Sequence, residues 1–304
     1  MAASAAAAEG LRPTLEELIA LGSTVSGRAR VRRARHGLAG AAPSPLRGRG
    51  MEYAESRDYV PGDDARHIDW RVTARSGRLH TKVFQAERER LTLLVADTAP
   101  ALYFGTRVRF KSTQAARAGA IAAWAAMRDG DRISALRASR REPPLPPASG
   151  NRGALRALDA LVRWYAAPPA DDGGLPLAIE HAVRLVRPGA RVVVLADPAS
   201  VKAVDDARWT ALAQHHDALA LLLTDPLELV PPKAALGFAG DDGARALLDL
   251  ASPSLRQRWH AAFVATVEQA LQRLPALGVR AQALSTDEPS DAWLPLLGRP
   301  VGLR

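Results

Sequence analysis

Three apolar runs, each closing on an aspartate, constrain this chain more than any other feature: "LTLLVAD" at 91–97, "ARVVVLAD" at 190–197 and "DALALLLTDP" at 217–226. A run of this length with no polar alternation is the pattern of a strand buried on both faces. Helical patterns separate the runs, at 111–128, 151–167, 175–186 and 205–216. Further strands are expected at 131–138 and 278–284, a long helix at 252–277 and a last helix near 289–298. Alternation of this kind predicts an α/β fold, a mostly parallel sheet flanked by helices on both faces. Right-handed crossovers then bring the carboxyl ends of the strands to one edge, where such sheets bind ligands. Asp97, Asp197 and Asp225 would all stand at that edge. Three acids there could hold a hard cation through oxygen ligands. They could equally cap the helices that follow, since Asp is a good capping residue.

The first ninety residues have another character. A short amphipathic helix is expected at 13–21, then a basic run "RARVRRARHG" at 28–37 and a Gly/Pro-rich loop at 37–50. A strand is expected over 78–87. We therefore divide the chain into an N-terminal helix, basic loop and charged, partly β extension (1–90) and a sheet domain (91–304). The whole chain carries 41 Lys and Arg against 32 Asp and Glu, a net charge of +9. Much of that surplus lies between residues 26 and 90, which leans toward acidic partners. A nucleic-acid role for residues 28–36 is weighed against by the lack of an aromatic stacking platform or a helix-turn-helix pattern. The chain has no cysteine, which excludes disulfides, thiolate metal sites and thiol nucleophiles. No apolar run approaches the ~18 residues of a membrane span, and the opening "MAASAAAAEG" lacks the basic start of a signal peptide. A soluble, cytoplasmic protein is expected.

"RDYVPGDDARHIDW", residues 57–70, sets four aspartates beside arginines, two aromatics and a Pro-Gly pair. Pro61 and Gly62 have turn chemistry, and Asp63 or Asp64 can cap a short helical turn. Arg57, Arg66 and Arg75 suit bidentate pairing with Asp63, Asp64 or Asp69. Ile68 and Trp70 are expected to anchor the segment against the sheet domain. As an enzyme site, Asp63, Asp64, His67 and Asp69 could act as acid, base or metal ligands. Arginines so close would keep the acids ionised, which suits pairing better than proton transfer. A fold-supporting charge network and a partner surface with Arg and Trp anchors fit the stretch better.

The longer segment "GRGMEYAESRDYVPGDDARHIDWRVTARSGRLHTKVFQAERE" (48–89) resembles the Domain of Unknown Function 58 family. The matching positions are Gly48, Gly50, Glu52, Tyr53, Arg57, Tyr59, Gly62, Asp63, Asp64, Arg66, Ile68, Asp69, Trp70, Ala74, Arg75, Lys82 and Glu87. "GDRISAL" (130–136), "ADPASV" (196–201) and "HHDALALLLTDPLE" (215–228) agree with it, so the resemblance covers roughly residues 37–300. It implies a von Willebrand factor A-like fold. It also implies a non-enzymatic adaptor that works with a MoxR-type AAA+ ATPase in assembly or chaperone-like activation of client proteins. The alternatives are a metal-dependent enzyme on Asp97, Asp197 or the acids at 63–69, and a nucleic-acid-binding protein using the charged N-terminal third.

The same resemblance implies a Mg²⁺ site built from Asp-x-Ser-x-Ser, a Thr and a later Asp. Here the first element reads Asp97-Thr98-Ala99-Pro100-Ala101, with alanines in place of both serines. Leu175 stands where the Thr is expected, and Asp197 remains. Pro100 also lacks an N–H. Mg²⁺ demands near-octahedral oxygen ligands. The expectation is therefore a degenerate adhesion site, with weak Mg²⁺ binding at most and no other cofactor. His215-His216-Asp217 offers a metal reading, but a helix end also favours His through its dipole. "REPPLPPASG" (141–150) carries a Pro-x-x-Pro pattern and reads as a rigid loop between a strand and a helix. Trp124, Trp164, Trp209 and Trp259 sit in helical patterns and read as core.

Overall fold

The computed structural model describes residues 10–26, 51–86, 90–239 and 243–298. The basic run at 28–37 and the Gly/Pro-rich stretch at 37–50 lie outside the described residues. The chain divides into two units, one formed by residues 33–89 and the other by the rest.

The larger unit is built on five parallel strands. They are β3 (Leu91–Ala96), β4 (Arg132–Arg137), β5 (Arg191–Ala196), β6 (Asp217–Thr224) and β9 (Arg280–Ser285). Their order across the sheet is β4-β3-β5-β6-β9. Counted within the sheet this is 2-1-3-4-5, a doubly wound arrangement whose order reverses between its first and third strands. The reversal lies between β3 and β5, which pair from Thr92 with Arg191 to Ala96 with Leu195.

Side chains of successive residues divide between two cores, as the period of two requires. Leu94, Ala96, Val193, Leu195, Leu219 and Leu221 face one core. It is completed by α1 (Leu15–Ala20), α4 (Lys111–Asp129) and α5 (Gly150–Tyr165). Leu93, Val95, Val192, Val194, Ala220 and Leu222 face the other. There α6 (Leu175–Leu185), α8 (Asp206–Ala213) and α11 (Val264–Ala276) cover them. The alanines of α4 have a packing reason, because this helix is buried nearly all round. At Gly119 a Cβ would stand 2.9 Å from methyls of both Leu161 and Leu195, so the backbone itself fills that gap.

The N-terminal helix belongs to this unit, although the sequence boundary grouped it with residues up to 90. Leu18 and Val25, the latter in α2 (Gly22–Ser26), are buried in the first core, and Trp124 Nε1 donates to the Leu18 carbonyl at 2.9 Å. The Pro-rich stretch lies along the edge strand β4. Ile133 and Ala148 exchange backbone hydrogen bonds, and Leu145 N–H reaches the Ala135 carbonyl at 2.8 Å. Proline offers no N–H to a further strand, so this strap closes an edge that would otherwise invite pairing.

Two expectations for the C-terminal third are corrected. The helix expected at 252–277 is two helices, α10 (Pro253–Ala262) and α11, broken at Phe263, where φ is −112° and ψ is −64°. The helix expected near 289–298 is only a 3₁₀ turn at Leu294–Gly298, because Pro289 and Pro295 cannot supply the N–H groups of a longer one. A hairpin of β7 (Ala235–Ala239) and β8 (Arg245–Asp249) was not anticipated. No helix among the described residues is long and apolar enough to cross a membrane.

The smaller unit is an antiparallel pair, β1 (Met51–Asp58) and β2 (His80–Ala86), joined by the aspartate-rich segment and α3 (Trp70–Ser76).

Candidate functional site

The carboxyl ends of the central strands carry a continuous line of buried charge. Asp97 follows β3 directly and is fully buried. Its Oδ1 accepts the Ala99 N–H at 3.1 Å and its Oδ2 accepts the Asp197 N–H at 3.0 Å. Asp197 follows β5 and caps α7 (Pro198–Lys202), accepting the Ala199 N–H on Oδ1 at 2.8 Å. Its other oxygen, Oδ2, receives the ammonium of Lys111 at 2.7 Å. The same ammonium reaches Glu228 Oε1 at 2.5 Å. Glu228 Oε2 in turn accepts the Asp225 N–H at 3.0 Å, completing a capping box at α9 (Pro226–Leu229). Asp197 and Asp225 are thus joined through Lys111 and Glu228, and Asp97 is joined to them through the Asp197 N–H.

The environment sets each charge. Burial pushes the Asp97 carboxyl up to about 6, against its hydrogen bonds to Ser200 and to backbone N–H groups. Burial also works against the Lys111 ammonium, but Asp197 and then Glu228 outweigh it and hold its pKa above the usual lysine value. Glu228 is raised, first by burial and also by the neighbouring Asp197 charge. Lys111 works in the opposite sense, holding Glu228 toward its anion, but burial together with Asp197 outweighs it. Asp225 goes the other way. Burial opposes its ionisation, but four donors outweigh that: the Thr106 hydroxyl at 2.6 Å, the Thr286 hydroxyl at 2.7 Å, and the N–H groups of Thr106 and Leu227.

The Mg²⁺ site that the resemblance implies does not fit these residues. Asp197 is already neutralised by Lys111, and Lys111 is 1% exposed. Leu175, where a Thr ligand was sought, is buried in the first turn of α6. Thr98 donates to Asp172 Oδ1 at 3.1 Å instead. Among the described residues no group of three or more His, Asp or Glu side chains is placed to hold a metal ion. His215-His216-Asp217 lies at the opposite edge of the sheet. There Asp217 pairs with Arg191 at 3.2 Å and with Arg280, and burial lowers the His216 pKa.

The residue 57–70 segment is organised by its aspartates. Val60 to Asp63 form a turn closed by Asp63 N–H to Val60 O at 3.0 Å, with Gly62 at a φ of 110°. Asp63 accepts Arg57 at 2.7 Å and the Val60 N–H at 3.0 Å, which together hold it below the usual carboxylate range, Arg57 foremost. Asp64 caps the 3₁₀ turn Ala65–His67 and takes a two-pronged contact from Arg66, the main cause of its strongly lowered pKa. Tyr59 closes the segment, its N–H on the Leu79 carbonyl at 2.8 Å and its hydroxyl on the Asp63 carbonyl at 3.3 Å. Asp69 caps α3 through the Arg71 and Val72 N–H groups and accepts the Ser56 hydroxyl at 2.7 Å.

One expectation here is corrected. Arg75 pairs with none of the three aspartates, and neither it nor Arg71 has a carboxylate partner among the described residues. The carboxylates are already saturated by backbone N–H groups, Ser56, Arg57 and Arg66. Trp70 opens α3 and is 68% exposed.

Sequence reasoning missed Lys111 and Glu228. The signal for Lys111 was a cation in the first turn of a long helix, where the macrodipole disfavours it. Glu228 was readable as the third helical residue after an Asp-Pro start, the spacing of a capping box.

Uncharacterized proteins of Mycobacterium bovis and Mycobacterium tuberculosis are each 29% identical over 263 residues, covering 84% of this chain and 80% of the relative. No solved structure matches the chain at the same stringency. The profile described as "Protein of unknown function DUF58" matches residues 55–269. That span takes in both the aspartate-rich segment and the buried charge line from Asp97 to Glu228, and the chain therefore belongs to the DUF58 family.

Proposed function

We propose that this chain is a non-enzymatic interaction protein that works with a MoxR-type AAA+ ATPase in assembling or activating client proteins. The ATPase is what the family resemblance implies. The observation that carries the reading is the division of charge in the smaller unit. Asp63, Asp64 and Asp69 are spent on its own backbone and on Ser56, Arg57 and Arg66. Trp70, Arg71 and Arg75 face outward with no partner of their own among the described residues. Trp and Arg are the side chains that most often anchor protein interfaces, and unpaired guanidinium groups select an acidic surface on the other side.

The rival reading, a metal-dependent enzyme, needs a free acid, base or ligand. The acids at 63–69 are held ionised in pairs or caps, and those of the sheet edge are tied to Lys111 or to backbone N–H groups. The test is binding of the purified full-length chain to the MoxR-type ATPase of the same cell, with Mg²⁺ and ATP, for wild type and for the pair Arg71→Glu with Arg75→Glu. Wild-type binding that weakens at least about tenfold in the variant supports the reading. Absence of wild-type binding sinks it, and equal binding by both moves the surface elsewhere.

A further inference from the structure

We infer that Lys111 is a tethered cation: the carboxyl edge of the sheet beyond β5 and β6 is a cation seat, and the chain fills it with its own ammonium. In a doubly wound sheet the carboxyl edge of the strands is the side on which a ligand is expected. Here it holds Asp197 and Glu228, both nearly buried, facing one nitrogen at 2.7 and 2.5 Å. Buried carboxylates are costly unless an opposite charge meets them with good geometry. Lys111 meets that need from the first turn of α4, a position the helix dipole disfavours. Its stem passes Phe104, whose ring centre is 6.0 Å from the ammonium. The aspartates on either side accept backbone N–H groups, so their remaining oxygens are fixed in direction.

Two consequences follow. No divalent ion enters while the ammonium is in place, so the chain's own stability is indifferent to chelators. The seat itself is not lost, and its chemistry suits a primary ammonium or a small hard cation once the lysine stem is cut away. This reasoning does not depend on the ATPase reading.

The test is thermal unfolding of the full-length chain, as wild type and as Lys111→Ala, in buffer, in Mg²⁺, in EDTA and in n-propylammonium chloride. That amine has the carbons and the charge that the substitution removes, and tetramethylammonium chloride controls for ionic strength. Wild type is expected to melt at the same temperature throughout. Lys111→Ala is expected to melt on the order of 10 °C lower. It should recover part of that loss with n-propylammonium, or with Mg²⁺, and none with tetramethylammonium. A wild type that gains stability with Mg²⁺ or loses it in EDTA overturns the inference. So does a Lys111→Ala chain that melts with wild type, or one that no cation rescues. If Lys111→Ala does not fold, Lys111→Met is compared with Lys111→Met joined to Glu228→Gln. Removing the second buried charge should then restore stability, and a further loss overturns the inference.

Discussion

Asp97 makes the sheet unit less stable at neutral pH than in mild acid, and the size of the effect can be worked out. Its carboxyl is fully buried and is pushed from 3.8 to about 6. A group whose folded pKa lies above its unfolded value binds protons more tightly in the native state. Stability from that group is therefore full below about pH 4 and is lost as pH rises through 6. At about 1.4 kcal/mol per unit, the whole range is worth about 3 kcal/mol. About half of that range, roughly 1.4 kcal/mol, falls between pH 5 and pH 8, so with a urea slope of about 2–3 kcal/mol/M for a unit of this size the midpoint should fall by roughly 0.5–0.7 M over that interval. Emission from the buried Trp164, Trp209 and Trp293 reports the transition. Two other groups titrate nearby. Glu228 is also raised by burial and adds in the same sense, while His216 is lowered by burial and opposes it. Asp97→Asn separates them. The amide cannot accept from both the Ala99 and Asp197 N–H groups, so the variant is less stable overall, but its pH slope lacks the Asp97 part. Equal slopes in wild type and Asp97→Asn would refute the assignment.

Other substitutions have equally definite outcomes. Asp225→Ala strands four donors around a buried position and should cost about 3–5 kcal/mol in chemical denaturation. Because its pKa is lowered, the wild-type contribution of Asp225 should persist above about pH 4 and fade as pH falls below it. Gly153→Ala places a Cβ 2.1 Å from the Ala148 carbonyl oxygen. It should cost about 2–3 kcal/mol and raise amide exchange at Leu145 and Ala148, since the Pro-rich strap must lift from β4. Trp70→Ala removes a mostly exposed ring, so stability should stay within about 0.5 kcal/mol while partner binding falls about tenfold. A large loss of stability there would mean that the indole is structural.

The sheet was legible because its strands are buried on both faces. "LTLLVA", "RVVVLA" and "DALALLLT" have no solvent side to interrupt them, and their boundaries were read to within a residue or two. Strands with an open face were harder. β7 and β8 expose most of their residues and read as loop. β1 looks like charged irregular chain until its pairing with β2 is known. The break at Phe263 leaves no mark on the helical period. The Phe263 ring lies 4.6 Å from Trp259, an i,i+4 contact that a continuous helix would also make, so it gives no warning of the break. In the aspartate-rich segment the turn and caps were readable from residue chemistry. The outward set of Trp70 and Arg75 was not, because it depends on which donors reach each carboxylate first.

Seen in sequence, Asp97, Asp197 and Asp225 form a set that invites a cation. In three dimensions each is first a backbone acceptor. Asp197-Pro198 and Asp225-Pro226 both start helices with Asp as the cap and Pro as the first helical residue, which satisfies N–H groups that would otherwise be left bare. What remains is one free oxygen on Asp197 and one on Glu228, and a single ammonium answers both. The edge where a doubly wound sheet usually meets its ligand is in this chain closed by its own side chains. On the proposed function, contact with a partner falls to other surfaces, and α3 offers exposed Trp70 beside Arg71 and Arg75, which have no carboxylate partner among the described residues.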